Sequence, residues 1–362
     1  MSIAQQTGRA ERLSALLPEA GVDVIVVTDL TNVRYLTGYT GSNGLALIGA
    51  QLRAFITDFR YVEQVAEEVD PSFERLQAPL ELLETIERTL PDGPLRLGFE
   101  GAHVSVREHD RLRELLPDRV ELVTVEGLVE RLRAVKEPDE LTRIGEATKL
   151  ADEAFAELVA EGLIGRSERE LALALTMKMY QRGAARPSFE AIVAAGPHGA
   201  LPHAAPRDVE IGRGQLVVID WGAELDGYCS DCTRTLAAGE PDAHAREIYE
   251  LVLEAQLAGL QAVIAGAGGR DVDSVARGVI ETAGHGEHFG HGLGHGVGLA
   301  VHEAPRLSQR SEAVLEAGNV VTVEPGVYLP GELGVRIEDL VVVTGDGSEV
   351  LTSLSKELSV TD

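Results

Sequence analysis

Val217-Val-Ile-Asp220-Trp-Gly222-Ala-Glu-Leu-Asp226-Gly227-Tyr-Cys-Ser-Asp231-Cys-Thr-Arg-Thr235 reads as two strands around a two-residue turn. Asp-Gly is a strong hairpin signal, because the favoured tight turn needs positive φ at both central residues. A turn centred there pairs residues whose numbers sum to 453, so Asp220 faces Thr233 and Gly222 faces Asp231. Asp220 and Asp231 are then diagonal neighbours on one face, roughly 7–8 Å apart at the backbone, and their carboxylates converge. Gly222 opposite Asp231 is expected to leave a side-chain-sized space. Asp220 ends a buried-looking Val-Val-Ile run, and a buried acid needs a partner. A cation between the two acids is therefore favoured over a pair of solvated carboxylates.

The pattern recurs downstream in Val320-Val-Thr-Val-Glu324-Pro-Gly326 and Val335-Arg336-Ile-Glu338-Asp339, where acids again end or interrupt apolar strands. Four carboxylates facing one cleft would repel one another by about several kcal/mol without a multivalent cation. One ion would be over-supplied by four carboxylates, and two fit better. Between the hairpins, His285-Gly-Glu-His288-Phe-Gly-His291-Gly-Leu-Gly-His295-Gly-Val-Gly-Leu-Ala-Val-His302-Glu303 holds five of the ten histidines. No strand-to-helix frame surrounds these glycines, which excludes a dinucleotide loop. They let backbone approach a crowded site in which imidazoles serve as ligands or proton donors; a flexible surface His tract is the plainer alternative. One nitrogen with four carboxylates is an oxygen-rich donor set, suited to manganese, cobalt or a similar divalent ion. Two such ions holding a water as hydroxide and polarising a carbonyl describe metal-assisted hydrolysis.

Outward from these hairpins, helical patterns near 138–161 and 168–183 precede the first strand pair, 215–223 with 228–236. Helices near 244–266 and 271–284 precede the second, 319–324 with 335–343. The repeated order points to a pseudo-twofold α+β domain with its cleft where the halves meet. Upstream, strands near 22–28, 45–48, 54–57, 95–100 and 120–125 alternate with helices near 9–17, 60–69, 80–90 and 106–116. That alternation reads as an α/β domain. Pro138 suits the first turn of a new helix, so the domains are set at 1–134 and 135–362. At ~150 residues per domain, two domains agree with the chain's 362 residues. Tyr35-Leu-Thr-Gly-Tyr-Thr-Gly-Ser-Asn-Gly44 lacks the Lys and following helix of a phosphate loop and reads as a structural turn or a gate.

The charge balance is 32 Lys plus Arg against 59 Asp plus Glu, a net of −27. A surface so acidic repels phosphate backbones and anionic lipid, so neither nucleic acid nor a membrane is an expected partner. The start of the chain shows no signal-peptide core, and apolar runs such as Val24 to Val27 are too short to span a bilayer, so a cytoplasmic location is expected. Cys229 and Cys232 form a C-x-x-C, but in one strand residues three apart face opposite sides, which opposes a shared metal or disulfide.

These residues resemble the pita-bread metallopeptidases, which include methionine aminopeptidase, prolidase, aminopeptidase P and creatinase. The likeness covers essentially the whole chain and implies a creatinase-like α/β amino-terminal domain followed by an α+β pita-bread catalytic domain with pseudo-twofold symmetry. It places metal ligands on Asp220, Asp231, His295, Glu324 and Glu338, with Glu324 also handling protons beside a metal-bridged hydroxide. His203, in Ala200-Leu-Pro-His203, and His302 would hydrogen-bond the substrate carbonyl and the tetrahedral intermediate. His291 matches a cleft histidine of the proline-specific branch, and Arg336 would orient a ligand carboxylate; both also read as satisfied polar groups beside the site. Two divalent ions, Mn2+ with Co2+ or Zn2+ as alternatives, short Xaa-Pro peptides as substrates and a homodimer are implied.

The bond before proline is a tertiary amide with no N–H, so it calls for a dedicated peptidase. Creatinase lacks a full metal set and methionine aminopeptidase usually lacks the long amino-terminal domain, which leaves prolidase and aminopeptidase P. Arg306, in Glu303-Ala-Pro-Arg306-Leu-Ser308, matches a prolidase arginine that grips a dipeptide's free carboxylate. The short amino-terminal domain is similar to small bacterial aminopeptidase P. A non-catalytic pita-bread peptide-binding module is the third reading. Cys232 stands where the family often has Met, and Trp221 where a small residue is common, so either is expected to reshape the pocket or confer redox sensitivity.

Overall fold

The computed structural model describes residues 3–361, and these fall into two compact units divided between Arg133 and Ala134. The first is a mixed six-stranded sheet in the order Glu74–Gln77, Arg53–Thr57, Gly44–Gly49, Val24–Val27, Leu95–Glu100, Val120–Val125. Its central strands are apolar on both faces, as a sheet covered by helices requires, and Val24, Val26, Leu45, Leu47, Leu97 and Phe99 form the core of one face. Helix Leu30–Thr37 covers the start of the glycine-rich stretch that the sequence reads as a turn. Thr31, Asn32, Val33, Tyr35 and Thr37 are poor helix formers, and burial of Asn32, Val33, Tyr35, Leu36 and Thr37 overrides them. Asp29 caps its first turn by accepting from the Thr31 N–H, and Gly38, at φ 82°, ends it in the left-handed conformation that glycine adopts without strain.

The second unit is built twice over. Helices Pro138–Ala160 and Glu168–Gln181 pack on a sheet ordered Val360–Thr361, Cys232–Ala238, Gln215–Trp221, Ile192–Ala195. Helices Ala243–Ala262 and Gly269–Thr282 pack on one ordered Glu303–Leu307, Gly294–Gly296, Val320–Val323, Asp339–Val343, Ser348–Val350. Period-2 alternation sends one face of each hairpin to its helices. Val217, Ile219 and Trp221 join the first helix pair's core, and Val321, Val323, Val341 and Val343 join the second's. Asp220 and Thr322, one residue out of phase, are left for the opposite face.

The hairpin register holds. Cys232 pairs with Trp221 and Thr233 with Asp220, and Glu224 pairs with Cys229 near the tip. Asp226, at φ 50°, and Gly227, at φ 86°, make the turn. The ladder is interrupted at Gly222 and Asp231, however, and no side-chain-sized space lies there: a Cβ on Gly222 would collide with the Ser230 carbonyl. The second hairpin has the same break. Val320–Val323 pairs with Asp339–Val343 and Gly326–Leu329 with Leu333–Arg336, in one register whose pairs sum to 662. Glu324 and Glu338 sit in the gap, as Asp231 does in the first hairpin. Released from the ladder, these positions turn their carboxylates inward. Among the described residues, no helix is long and apolar enough to cross a membrane.

Candidate active site

A cavity of about 670 Å³ in the second unit is lined by Asp220, Asp231, His295, Glu324 and Glu338 together. It also receives His203, His291, His302, Arg306 and Arg336. The ten residues to which the sequence assigns catalytic, metal-binding or substrate-binding roles thus reach one cavity. The histidine-rich run divides: His291, His295 and His302 reach the cavity, while His285 and His288 lie with their rings 5.5 Å apart and are not among its lining.

The donor atoms converge. Nε2 of His295 lies 3.5 Å from Asp231 Oδ2 and 3.4 Å from Glu324 Oε1, and donor atoms of Asp231, His295 and Glu338 lie within 4.8 Å of one another. His295 Nδ1 donates to the Gly296 carbonyl at 3.1 Å, which leaves the Nε2 lone pair facing the carboxylates. Lone pair against lone pair is repulsive, and a cation between them removes the conflict. Asp220 Oδ2 accepts from Arg336 Nη2 at 2.7 Å, yet its Oδ1 is buried with no hydrogen-bond partner. A buried, unpartnered carboxylate oxygen beside this group fits a divalent metal centre.

Electrostatics agree. Burial, reinforced by repulsion from Glu338, Asp220 and Glu324, pushes Asp231 well above the usual carboxylate range. Burial, then repulsion from Glu324 and Asp220, does the same to Glu338. Burial raises Asp220 against the pull of Arg336. Glu324 is pushed up to about 7, by burial first, with Arg336 opposing and Asp220 adding to it. Burial brings His295 down to about 3, so its imidazole is neutral and able to ligate. Four crowded acids whose charged forms burial disfavours are a set that a multivalent cation relieves.

Around the acids lies a hydrogen-bonded shell only partly visible in the sequence. Arg336 donates through Nε to Thr233 Oγ1 at 3.0 Å, and Thr233 donates to Glu338 Oε2 at 2.7 Å. In the other half, Thr322 Oγ1 accepts from the His295 N–H at 3.1 Å and donates to Glu324 Oε1 at 3.0 Å. Each threonine is two residues from an acid, Asp231 or Glu324; that i±2 spacing across a strand face was the signal for them. Tyr328 accepts from Arg336 Nη1 at 2.9 Å and donates to His291 Nε2 at 2.9 Å, while His291 Nδ1 donates to the Gly292 carbonyl at 2.8 Å. Both ring nitrogens of His291 are thus committed, and burial brings it down to about 4. What it offers the cavity is ring carbon.

Trp221 does not reshape the cavity. It stacks on Phe155 with ring centroids 4.0 Å apart on the helix side of its strand, and its indole N–H donates to the Ala151 carbonyl at 3.0 Å. Cys229 and Cys232 fall in separate strands and are both free and buried. Burial pushes Cys229 up to about 12 and Cys232 well above the ordinary thiol range, so neither is a thiolate at neutral pH and a redox pair is not supported. A thiol reagent at pH 7.5 is expected to leave both unmodified in the native protein and to modify both after denaturation, as counted by mass spectrometry. Rapid native modification would contradict this burial. A second trio with metal-like spacing, Asp29, His103 and Glu130, lies in the first unit; there Asp29 caps a helix and Glu130 accepts from Asn32.

Residues 142–345 match metallopeptidase family M24, and residues 9–135 match the creatinase/prolidase N-terminal domain. The chain belongs to family M24. It is a metallopeptidase of the pita-bread fold. An Xaa-Pro dipeptidase from Pyrococcus furiosus is 37% identical over 97% of this chain and 99% of its own length. The solved structure of an Xaa-Pro dipeptidase from Bacillus anthracis is 41% identical with a TM-score of 0.95, covering 98% of this chain and 99% of that one. An X-Pro aminopeptidase from Thermotoga maritima is 36% identical with a TM-score of 0.88, over 97% of this chain and 99% of that one.

Proposed function

We propose that this metallopeptidase is an Xaa-Pro dipeptidase that hydrolyses the bond before proline. Asp220, Asp231, His295, Glu324 and Glu338 would hold two divalent ions, and the oxygen-rich donor set suits Mn2+, with Co2+ or Zn2+ as alternatives. When bound, such ions supply a water acidified enough to attack at neutral pH and a Lewis acid for the carbonyl. The unpartnered Asp220 Oδ1, buried beside the other donors, carries this reading.

The chain's own groups divide the remaining work. Glu324, with Oε1 held by Thr322, carries the proton from the attacking water to the proline nitrogen. That nitrogen must be protonated to leave, because an unprotonated amide nitrogen would depart as a strongly basic anion. His203 and His302, which line the cavity, donate to the carbonyl oxygen as it gains charge. His302 sits edge-on to His295 with ring centroids 4.4 Å apart, which ties its place to that of a ligand. Arg336 fixes Asp220 and, through Thr233, Glu338.

Arg306 supports a dipeptide substrate. It pairs with His295 in the ladder and so shares that residue's face. A guanidinium on the cavity wall is the right donor for a free carboxylate. The relative from Thermotoga keeps aminopeptidase activity on longer peptides as the second reading. Hydrolysis of Ala-Pro, Ala-Ala and Ala-Pro-Ala by metal-reconstituted protein separates the two. Ala-Pro is expected to be cleaved, Ala-Ala untouched, and the tripeptide cleaved about tenfold or more slowly, as loss of one charge-assisted contact implies. Cleavage of the tripeptide alone would select the aminopeptidase.

A further inference from the structure

His203 stands in a stretch without regular structure, between a short turn, Gly196–Ala200, and Arg207. Among the described residues, no hydrogen bond fixes its ring. Its position therefore comes from the backbone, and the backbone is tied at both ends by one side chain. Glu168 opens the helix Glu168–Gln181 and its side chain is 1% exposed. Its carboxylate accepts from the Ala195 N–H at 3.0 Å and the Arg207 N–H at 3.0 Å. It also accepts from His198 Nδ1 at 2.9 Å and from Arg207 Nε at 3.2 Å. Burial alone would raise this carboxyl, but the bonds from Arg207, Ala195 and His198 outweigh it and hold it below its usual range. Nearer the tip, Arg336 Nη1 donates to the Pro202 carbonyl at 3.3 Å, and Gly199 packs so closely on Gly334 that a Cβ on Gly334 would collide with its carbonyl.

The other half contains a counterpart. Asp273, in the helix Gly269–Thr282, is fully buried, pairs with Arg277 at 2.8 Å and accepts from the Leu293 N–H at 3.0 Å. Arg277 donates to the carbonyls of Phe289 and His291, each at 2.7 Å. In each half, then, a buried carboxylate on the second helix works with an arginine to brace a histidine-bearing segment of the cavity wall. Their partners differ, so the shared feature is the task.

We propose that Glu168 is a positioning residue for His203, closing the loop between Ala195 and Arg207 so that the imidazole is held at the cavity. The activity readout rests on the peptidase reading above. Removing the brace lets the loop sample other conformations, and a misplacement of about 1 Å costs up to ~100-fold in rate. Gln at this position keeps the volume but replaces an acceptor oxygen with a donor that faces N–H groups.

The test uses full-length, metal-reconstituted protein in four forms: wild type, Glu168→Gln, His203→Ala and the double variant. On Ala-Pro, Glu168→Gln is expected to lower kcat by about 10- to 100-fold with KM little changed, and the double variant to be no slower than His203→Ala. Losses that multiply in the double variant, or wild-type kcat in Glu168→Gln, overturn the proposal. Hydrogen exchange gives a readout free of activity: amides between 196 and 206 are expected to exchange faster in Glu168→Gln, with those of the helix Glu168–Gln181 unchanged. Unchanged protection of the loop, or faster exchange throughout the chain, overturns it as well. If wild type cleaves no Xaa-Pro peptide, the peptidase reading fails while exchange still decides the brace.

Discussion

Asp231→Asn is expected to abolish Xaa-Pro hydrolysis, by about 10³-fold or more, and to leave the fold intact. The loss follows from what the carboxylate does. Asp231 lies 3.5 Å from the lone-pair nitrogen of His295 and shares the cavity with Glu338, where an amide offers one weak oxygen and no charge. Lewis-acid stabilisation is worth about several kcal/mol, and each ~1.4 kcal/mol is tenfold in rate. Stability moves the other way. Burial, with repulsion from Glu338, Asp220 and Glu324, raises Asp231 well above its usual range. An acid whose folded-state value is raised binds its proton more tightly in the native state. Stability therefore falls as pH rises through the unfolded value, near 4, toward the folded one. At neutral pH, metal-free Asp231→Asn should melt no lower than metal-free wild type, and any gain should vanish below about pH 4. Added Mn2+ should raise the melting temperature of wild type and raise that of the variant less, since only ligand bound to the native state stabilises it. Thermal melts with and without chelator, read beside the Ala-Pro assay, check both parts. Full activity in the variant would refute the ligand assignment.

How far the sequence led depends on the distance over which each feature is decided. The turn at Asp226-Gly227 is local, and the register it set carries from tip to base of the hairpin. The acids were legible because each interrupts an apolar strand. Why they turn inward was not: the break at Gly222 depends on the Ser230 carbonyl filling the space that an uninterrupted ladder would have left. Thr233 and Thr322 lay within reach of the period-2 rule and were passed over. Helix Leu30–Thr37 was hidden because five of its eight residues are poor helix formers, which burial overrides. Trp221 drew the wrong expectation for a simple reason: one position after Asp220, it must face the helices and not the cavity. Glu168 could not be read at all, since its partners at 195, 198 and 207 are 27 to 39 residues away.

Arg306→Ala is expected to cripple dipeptide cleavage and spare tripeptides. Arg306 shares a face with His295, placing a cation beside the proposed metal ligands, and its charge contributes, after burial, to lowering His302. A cation there weakens any metal bound nearby, so the position carries a cost unless it meets an anion. A dipeptide supplies one, since its proline ends in a free carboxylate that guanidinium accepts in bidentate geometry. In a tripeptide the same carbon is a neutral amide. A charge-assisted hydrogen bond is worth about 1.5–3 kcal/mol, so kcat/KM on Ala-Pro should fall about 10- to 150-fold. On Ala-Pro-Ala it should change less than about threefold, because the contact removed was never made in full. The loss should appear mainly in KM if the carboxylate is held equally in ground and transition states. Arg306→Lys should recover part of it, keeping the charge without the fork. Equal losses on both peptides would place Arg306 in the general upkeep of the metal centre and return the substrate to the aminopeptidase reading.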